Sequence, residues 1–335
     1  MVLATPEEEH SGGPLIESVS CNLCGSWSHR PIYRKPDELF FPSDWFTVVE
    51  CLGCGLGFVN PRPTSESIAK YYPSAFYDGF ERDLTFHQRR YITEAAFLHE
   101  LTAMRGSKRL LDIGCASGAF PRHMRKLGWD VEGVEVARSV KPIDDFPVYT
   151  QDFTAIPVSG PHYDAVTAWA VMEHVHDPKG YFAKVGEVLK KGGVFVFLVT
   201  NFNSVSSRHL FQEDVPRHLY FFTESCVRRY LDTAGMSLVS SEYSDRIYSM
   251  PLTNWLHYYI WKASGRRLEW TDYTNLPALG RYLEKSDRRR TVWSALRYTL
   301  AHPVAVADRL LLPAFARYQM WRKRYGIVTY VARHR

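Results

Sequence analysis

The run Leu110-Leu111-Asp112-Ile113-Gly114-Cys115-Ala116-Ser117-Gly118 carries specific chemistry. It joins a short apolar stretch to a helix-like one. Gly114 and Gly118 let the backbone turn tightly and approach a ligand, and the helix behind them aims its first amides at that ligand. About twenty residues on, Glu135 ends the next apolar stretch, where an acid accepts both hydroxyls of a ribose. The pattern is not the dinucleotide fingerprint: Cys115, Ala116 and Ser117 follow Gly114, and Asp112 precedes the glycines. A carboxylate so placed repels a pyrophosphate and suits a ligand with a positive amine. S-adenosylmethionine has an amine, a sulfonium and a ribose, and no phosphate. Asp152, after a third apolar stretch, is placed to bind the adenine amino group. A structural strand-turn-helix of another doubly wound fold is the plainer alternative, and Glu135 and Asp152 weigh against it.

Two further sets of side chains could do chemistry. Cys21-Asn22-Leu23-Cys24-Gly25 and Cys51-Leu52-Gly53-Cys54-Gly55 are matched knuckles. In each, a glycine after the second cysteine opens the turn, so that amides point at sulfur. Four thiolates satisfy tetrahedral zinc and leave no open position for catalysis, so structural zinc is expected on Cys21, Cys24, Cys51 and Cys54. A redox pair would need a βαβ context that is missing here. His174 and His218 are the candidate general bases near neutral pH. Packing beside Glu173 is the alternative for His174. A loop position over the acceptor favours His218.

The elements that must hold these residues read as an α/β chain. Strands are predicted at Arg109–Ile113, Asp130–Val136, Phe146–Thr150, Tyr163–Ala168 and Val194–Val199, with helices at Phe120–Leu127 and Lys179–Lys191, the latter ended by Gly192-Gly193. Helix Thr223–Ala234 and strands Met236–Glu242 and Gly326–Ala332 complete a Rossmann-like, doubly wound, seven-stranded sheet. The divisions expected are a disordered tail over 1–20, a zinc ribbon over 21–62, a helical lid or linker over 63–106, the core over 107–247, a helical insertion over 248–325 and a final strand over 326–335. The lid includes helices at Ser65–Tyr72 and Glu81–Met104. Tyr72 and Tyr77 either face the acceptor from this lid or pack in the core.

With these residues in place, the run around Gly114 resembles motif I of the class I S-adenosylmethionine-dependent methyltransferases. Gly133-Val134-Glu135 is similar to their ribose-binding position. Trp169-Ala170-Val171-Met172-Glu173-His174-Val175-His176-Asp177-Pro178 and Arg217-His218-Leu219-Tyr220-Phe221-Phe222-Thr223 resemble later blocks of the ubiquinone-type members. The resemblance implies that Asp112, Gly114, Ala116, Gly118, Glu135, Asp152, Phe153 and Trp169 hold S-adenosylmethionine. The knuckles, Asn60-Pro61-Arg62-Pro63 and Tyr71-Tyr72-Pro73 resemble the zinc-ribbon methyltransferases of sugar and natural-product pathways, whose small domain lies over the acceptor pocket. Their Tyr-x-Glu-His block is Val215-Pro216-Arg217-His218 here, so the C-methylation chemistry is not implied. Ala170 stands where many relatives carry a polar residue.

Charge is uneven. Residues 245–335 hold 17 Lys and Arg against 6 Asp and Glu, so +11 of a chain total of +5 sits there and the rest is −6. Five of the nine Trp share that stretch. Basic clusters such as Arg266-Arg267 and Arg288-Arg289-Arg290 beside Trp suit an anionic membrane surface or nucleic acid. A docked helical subdomain with solvated charges is the plain alternative. Apolar runs such as Leu310-Leu311-Leu312 favour membrane over nucleic acid, giving a peripheral contact through 251–325. The N-terminus carries no apolar core and no segment reaches the length of a membrane span, so a cytoplasmic protein is expected. The expected activity is methyl transfer to a small-molecule, sugar or lipid-linked acceptor. An RNA methyltransferase gripping RNA with ribbon and insertion, or a non-catalytic zinc-binding interaction protein, are the competitors.

Overall fold

Strands with apolar residues on both faces need cover on both sides, and the βα alternation supplies it. The computed structural model describes residues 15–73, 75–76, 84–102, 108–137, 143–248, 253–277 and 297–335. The N-terminal part holds β1 (Ile16–Glu17), β2 (His29–Pro36), β3 (Trp45–Cys51), β4 (Gly57–Val59) and β5 (Arg62–Pro63). The core runs through α1 (Leu84–Thr102), β6 (Arg109–Ile113), α2 (Ala119–Lys126), β7 (Asp130–Val134), β8 (Val148–Tyr149), β9 (Tyr163–Trp169), α3 (Pro178–Val188) and β10 (Leu189–Thr200). It continues through α4 (Val205–His209), β11 (Tyr220–Phe221), α5 (Glu224–Thr233) and β12 (Met236–Glu242). The C-terminal part adds α6 (Trp255–Ala263), α7 (Trp270–Asn275), α8 (Pro303–Trp321) and β13 (Ile327–His334).

Seven strands form one sheet in the order β12-β13-β10-β9-β6-β7-β8. β13 runs antiparallel to both neighbours, and the pairs from β10 to β8 are parallel. Alternate residues feed two layers. Leu111, Ile113, Val166, Phe195 and Phe197 pack with Phe182 and Val185 of α3 and Tyr230 of α5. Leu110, Val131, Ala165, Val194 and Val196 pack with Ala95 and Leu98 of α1 and Phe120 and Met124 of α2. This is the Rossmann-like sheet expected from the sequence.

The N-terminal module is welded to that core. Its four-stranded sheet has the order β11-β4-β3-β2, so a strand from beyond β10 completes it. Cys21, Cys51, Val49 and Leu56 belong to the same cluster as α3 and α5. Asn22 ties the first knuckle down: its amide donates to Asp177 at 2.9 Å, and its carbonyl accepts the Lys179 amide and the Tyr230 hydroxyl, each at 2.9 Å. The insertion docks on the other side of this module, where Leu268 and Phe315 join Tyr33, Phe46 and Val48. Asp308 of α8 caps α6 by accepting the Asn254 and Leu256 amides at 2.8 and 2.6 Å.

Several expected boundaries move. The tail stops short of residue 20, because Ile16 and Glu17 pair with Pro63 and Arg62. The helix expected over Ser65–Tyr72 is only a 3-10 turn at Ile68–Tyr71. The helix expected to reach Lys191 ends at Val188, and Leu189 already pairs with Tyr163 in the sheet. Gly192, at φ 72°, then lies within a register shift of β10 rather than at a helix cap. Tyr77 and the Arg288-Arg289-Arg290 cluster lie outside the described residues.

Candidate active site

The carboxyl ends of β6, β7, β8 and β9 meet at one edge. Gly114 turns at φ 72°, and a Cβ there would stand 2.5 Å from Val171 Cγ2. Gly118 turns at φ 75° under Ile143 and Phe146. No larger residue fits either position without moving a packed side chain. Between them Ala116 also holds a positive φ of 46°, and its amide donates to Glu135 Oε2 at 2.9 Å. Glu135 Oε1 accepts the Ala137 amide at 2.8 Å. Two backbone donors thus fix this half-buried carboxylate over the turn. Burial raises its pKa and those amides oppose the rise.

Asp112 is buried and accepts the Thr167 hydroxyl at 2.6 Å. Burial pushes its carboxyl well up while Thr167 pulls it down, so a cationic neighbour would favour its charged form. Asp152 caps the turn after β8 by accepting the Thr154 amide at 2.9 Å, and its other oxygen accepts the Tyr181 hydroxyl at 2.8 Å. Phe153 is fully buried against Tyr181, and Trp169 packs edge-on to Phe120 at 5.6 Å.

The segment after β9 leads from this turn to the histidines. Val171 presses on Gly114, and its carbonyl accepts the His174 amide at 2.9 Å. His174 and His218 meet edge to face, with ring centroids 4.7 Å apart. His174 Nδ1 lies 3.0 Å from both the Arg217 carbonyl oxygen and the Tyr72 hydroxyl. The carbonyl can only accept, so that bond places the proton on Nδ1 and leaves Nε2 with the lone pair. Burial and the charge of His218 hold His174 down to about 3.

His218 differs. Burial alone would lower it, but Glu213, whose Oε2 is 2.6 Å from His218 Nδ1, raises it to about 9 with help from Glu173. Glu213 has no exposed side-chain surface and also accepts the Thr200 hydroxyl at 3.0 Å. Glu173 is buried, its Oε2 has no hydrogen-bond partner among the described residues, and burial lifts it to about 7. The edge thus holds one neutral and one charged imidazole.

The structure brings together the two histidines that the sequence offered as candidates, and beside them stands Glu213, which sequence reasoning missed. An acid five residues before a loop histidine was the available signal. It also missed Arg217, which is fully buried between Asp37 at 2.8 Å and Asp214 and donates to the Tyr71 carbonyl at 3.0 Å. Asp37 has no exposed side-chain surface either. Arg217→Ala would strand that charge, and removing one partner of a buried pair costs about 3–5 kcal/mol. Urea unfolding is the check, with an unchanged midpoint counting against it.

Among the described residues, Cys21, Cys24, Cys51 and Cys54 place all four sulfurs within 4.8 Å of one another. Cys21 and Cys54 sulfurs are 3.4 Å apart, and Cys24 and Cys51 sulfurs 3.5 Å. Tetrahedral zinc with ~2.3 Å bonds needs about 3.8 Å, so a small expansion fits it. Gly25 and Gly55 adopt φ of 74° and 76°, as the knuckle turns require. The Cys54 sulfur and burial push the Cys21 thiol up, so a cation is needed to hold four thiolates together.

Fold and edge define a doubly wound protein with a glycine turn and a backbone-held acid at its strand ends. Residues 85–241 match the methyltransferase domain model. A ubiquinone biosynthesis O-methyltransferase of Cereibacter sphaeroides is 35% identical over 130 residues, covering 35% of this chain and 53% of the relative. The same enzyme of a Ruegeria species is 29% identical over 147 residues, covering 41% and 53%. The chain spans about half the length of these curated relatives. Among solved structures, a methyltransferase of Archaeoglobus fulgidus superposes with a TM-score of 0.46 at 17% identity, covering 76% of this chain and 98% of that one. Magnesium protoporphyrin IX methyltransferase of Synechocystis gives 0.44 at 15% identity, covering 55% and 95%.

Proposed function

We propose that this protein transfers a methyl group from S-adenosylmethionine to a nucleophilic atom of a small-molecule acceptor, with His218 as the base. The observation that supports this most is the contiguity of the edge. One segment, Val171 to His174, touches the glycine turn at one end and the histidine pair at the other. Bound there, S-adenosylmethionine supplies an electrophilic methyl. Glu135 takes the ribose hydroxyls, Asp112 faces the amine, Asp152 serves the adenine side, and Ala116 and the two glycines let the main chain approach.

Methyl transfer is an in-line displacement, so the acceptor atom must be held in line and water kept out. Tyr72 stands beside His174 and closes this side of the edge. When the acceptor is a hydroxyl, a proton must leave it. Nε2 of His218 faces away from Glu213 and is the atom to take that proton once its own is lost, while Glu213 fixes the ring. The relatives named for ubiquinone biosynthesis favour oxygen as the acceptor atom. A sugar or a lipid-linked compound remains within this class. Zinc in the cysteine cluster would have a structural role only.

Glu135→Ala is expected to weaken S-adenosylmethionine binding by about tenfold or more, since two strong hydrogen bonds are lost. Calorimetry measures it directly. Unchanged affinity would remove the ribose assignment and with it the donor site.

The unpartnered oxygen of Glu173 favours a second reading, a cation held by Glu173, His174 and His218, whose ligand atoms lie within 4.8 Å of one another. The proton on His218 already balances charge there. A mild chelator that leaves the cysteine cluster loaded is therefore expected to leave turnover unchanged, and loss of turnover would favour the cation.

A further inference from the structure

A cleft of about 430 Å³ opens where β2, the end of α4 and α6 meet, away from the glycine turn. Its cations are Arg208, Lys262, Arg266 and Arg267. Arg208 is paired with Glu50 at 2.6 Å. Among the described residues, no carboxylate lies within ion-pair distance of Lys262, Arg266 or Arg267. Trp261, Tyr258 and Phe211 supply aromatic walls. His209, stacked on Tyr258 at 4.8 Å, is held down to about 4 by burial and then by Arg208, Lys262 and Arg267, so the positive field of the cleft is felt by a neighbouring group.

Tyr33, only 8% exposed, adds to the aromatic wall.

We propose that this cleft is a binding site for a phosphate-bearing ligand, whose phosphate is held by Lys262, Arg266 and Arg267, and whose flat or apolar body rests on Trp261, Tyr258 and Phe211. Three cations with no ion-pair partner among the described residues exceed what a single carboxylate needs and match a phosphate dianion or a diphosphate. Guanidinium groups bond phosphate oxygens in pairs. The cleft also shares a segment with the histidine edge. Lys35, buried, donates to the carbonyls of Phe211 and Glu213 at 2.6 and 2.7 Å, so the wall of the cleft and the partner of His218 are pinned by one ammonium. The proposal does not depend on the methyl-transfer reading, because it is tested by binding alone.

The phosphate could belong to a soluble compound or to a lipid headgroup, and the test separates them. The full chain is titrated by calorimetry with inorganic pyrophosphate and with uridine diphosphate, and is sedimented with phosphatidylglycerol vesicles. Two forms are compared: the native chain and Lys262→Ala/Arg266→Ala/Arg267→Ala. The triple variant changes only exposed side chains. It is expected to lose at least about thirtyfold in affinity for whichever probe binds. Binding of either soluble probe with this pattern identifies a soluble ligand, and vesicle binding alone with this pattern identifies a headgroup. No binding of any probe, or binding that the triple variant retains, overturns the proposal.

Discussion

His218→Ala is expected to reduce kcat by about 10²–10⁴-fold, the usual contribution of a positioned base, with little change in S-adenosylmethionine affinity. The pH profile carries more information. Glu213 raises His218 to about 9, so the base form is scarce at neutral pH. Turnover should then climb about tenfold per pH unit and level off near 9. Glu213→Gln removes the anion that holds the proton, and burial then lowers His218. Its ascending limb should move toward acid by about a unit or more, with a lower plateau because the ring is less well held. The two profiles therefore converge as pH falls. A profile that does not rise between pH 6 and 9, or one that Glu213→Gln leaves in place, would exclude His218 as the base.

That dyad shows which parts of the site were legible in the sequence. The glycine turn, Glu135 and the two histidines announce themselves because spacing along the chain is what the chemistry requires. Strand ends in a parallel sheet then bring them to one edge. Glu213 shows in the sequence only as an acid five residues before a loop histidine, and its contact depends on how that loop folds back onto Thr200. The same holds for Arg217 and Asp37, which are separated by 180 positions yet form a buried pair.

The fold divides in the same way. β6, β9, α5 and β12 follow local periodicity and fall where it places them. The end of α3 does not. Lys190-Lys191-Gly192-Gly193 carries every local sign of a helix terminus, but pairing of Leu189 with Tyr163 and the ion pair of Lys190 with Asp164 take the chain into the sheet first. β11 is two residues long and has no periodicity to read. It exists because Tyr220 and Phe221 pair with Phe58 and Gly57, and that pairing joins the N-terminal module to the loop that carries His218.

This joint makes the cysteine cluster the place where a distant change should disturb catalysis. β3 ends at Cys51 and pairs with β4. The Val59 amide of β4 donates to the Leu219 carbonyl at 3.0 Å, and the Leu219 and Tyr220 amides donate to the Glu173 carbonyl at 2.7 and 3.1 Å. His218 sits at the head of that chain of contacts, whereas Glu135 and Gly114 are anchored by β6 and β7. Cys51→Ser, or removal of the proposed zinc with a strong chelator, should lower the melting temperature by on the order of 10 °C, taking a loss of a few kcal/mol in a chain of this size. Turnover should fall by about 10²-fold, the effect of a misplaced reacting group, while S-adenosylmethionine affinity changes little. Metal content, calorimetry and turnover on one sample separate the outcomes. Full turnover without metal would show that the cluster does not position the His218 loop. Loss of turnover and donor binding together would show that the module and the sheet unfold as one, so that the cysteines support the whole domain and not the acceptor side alone.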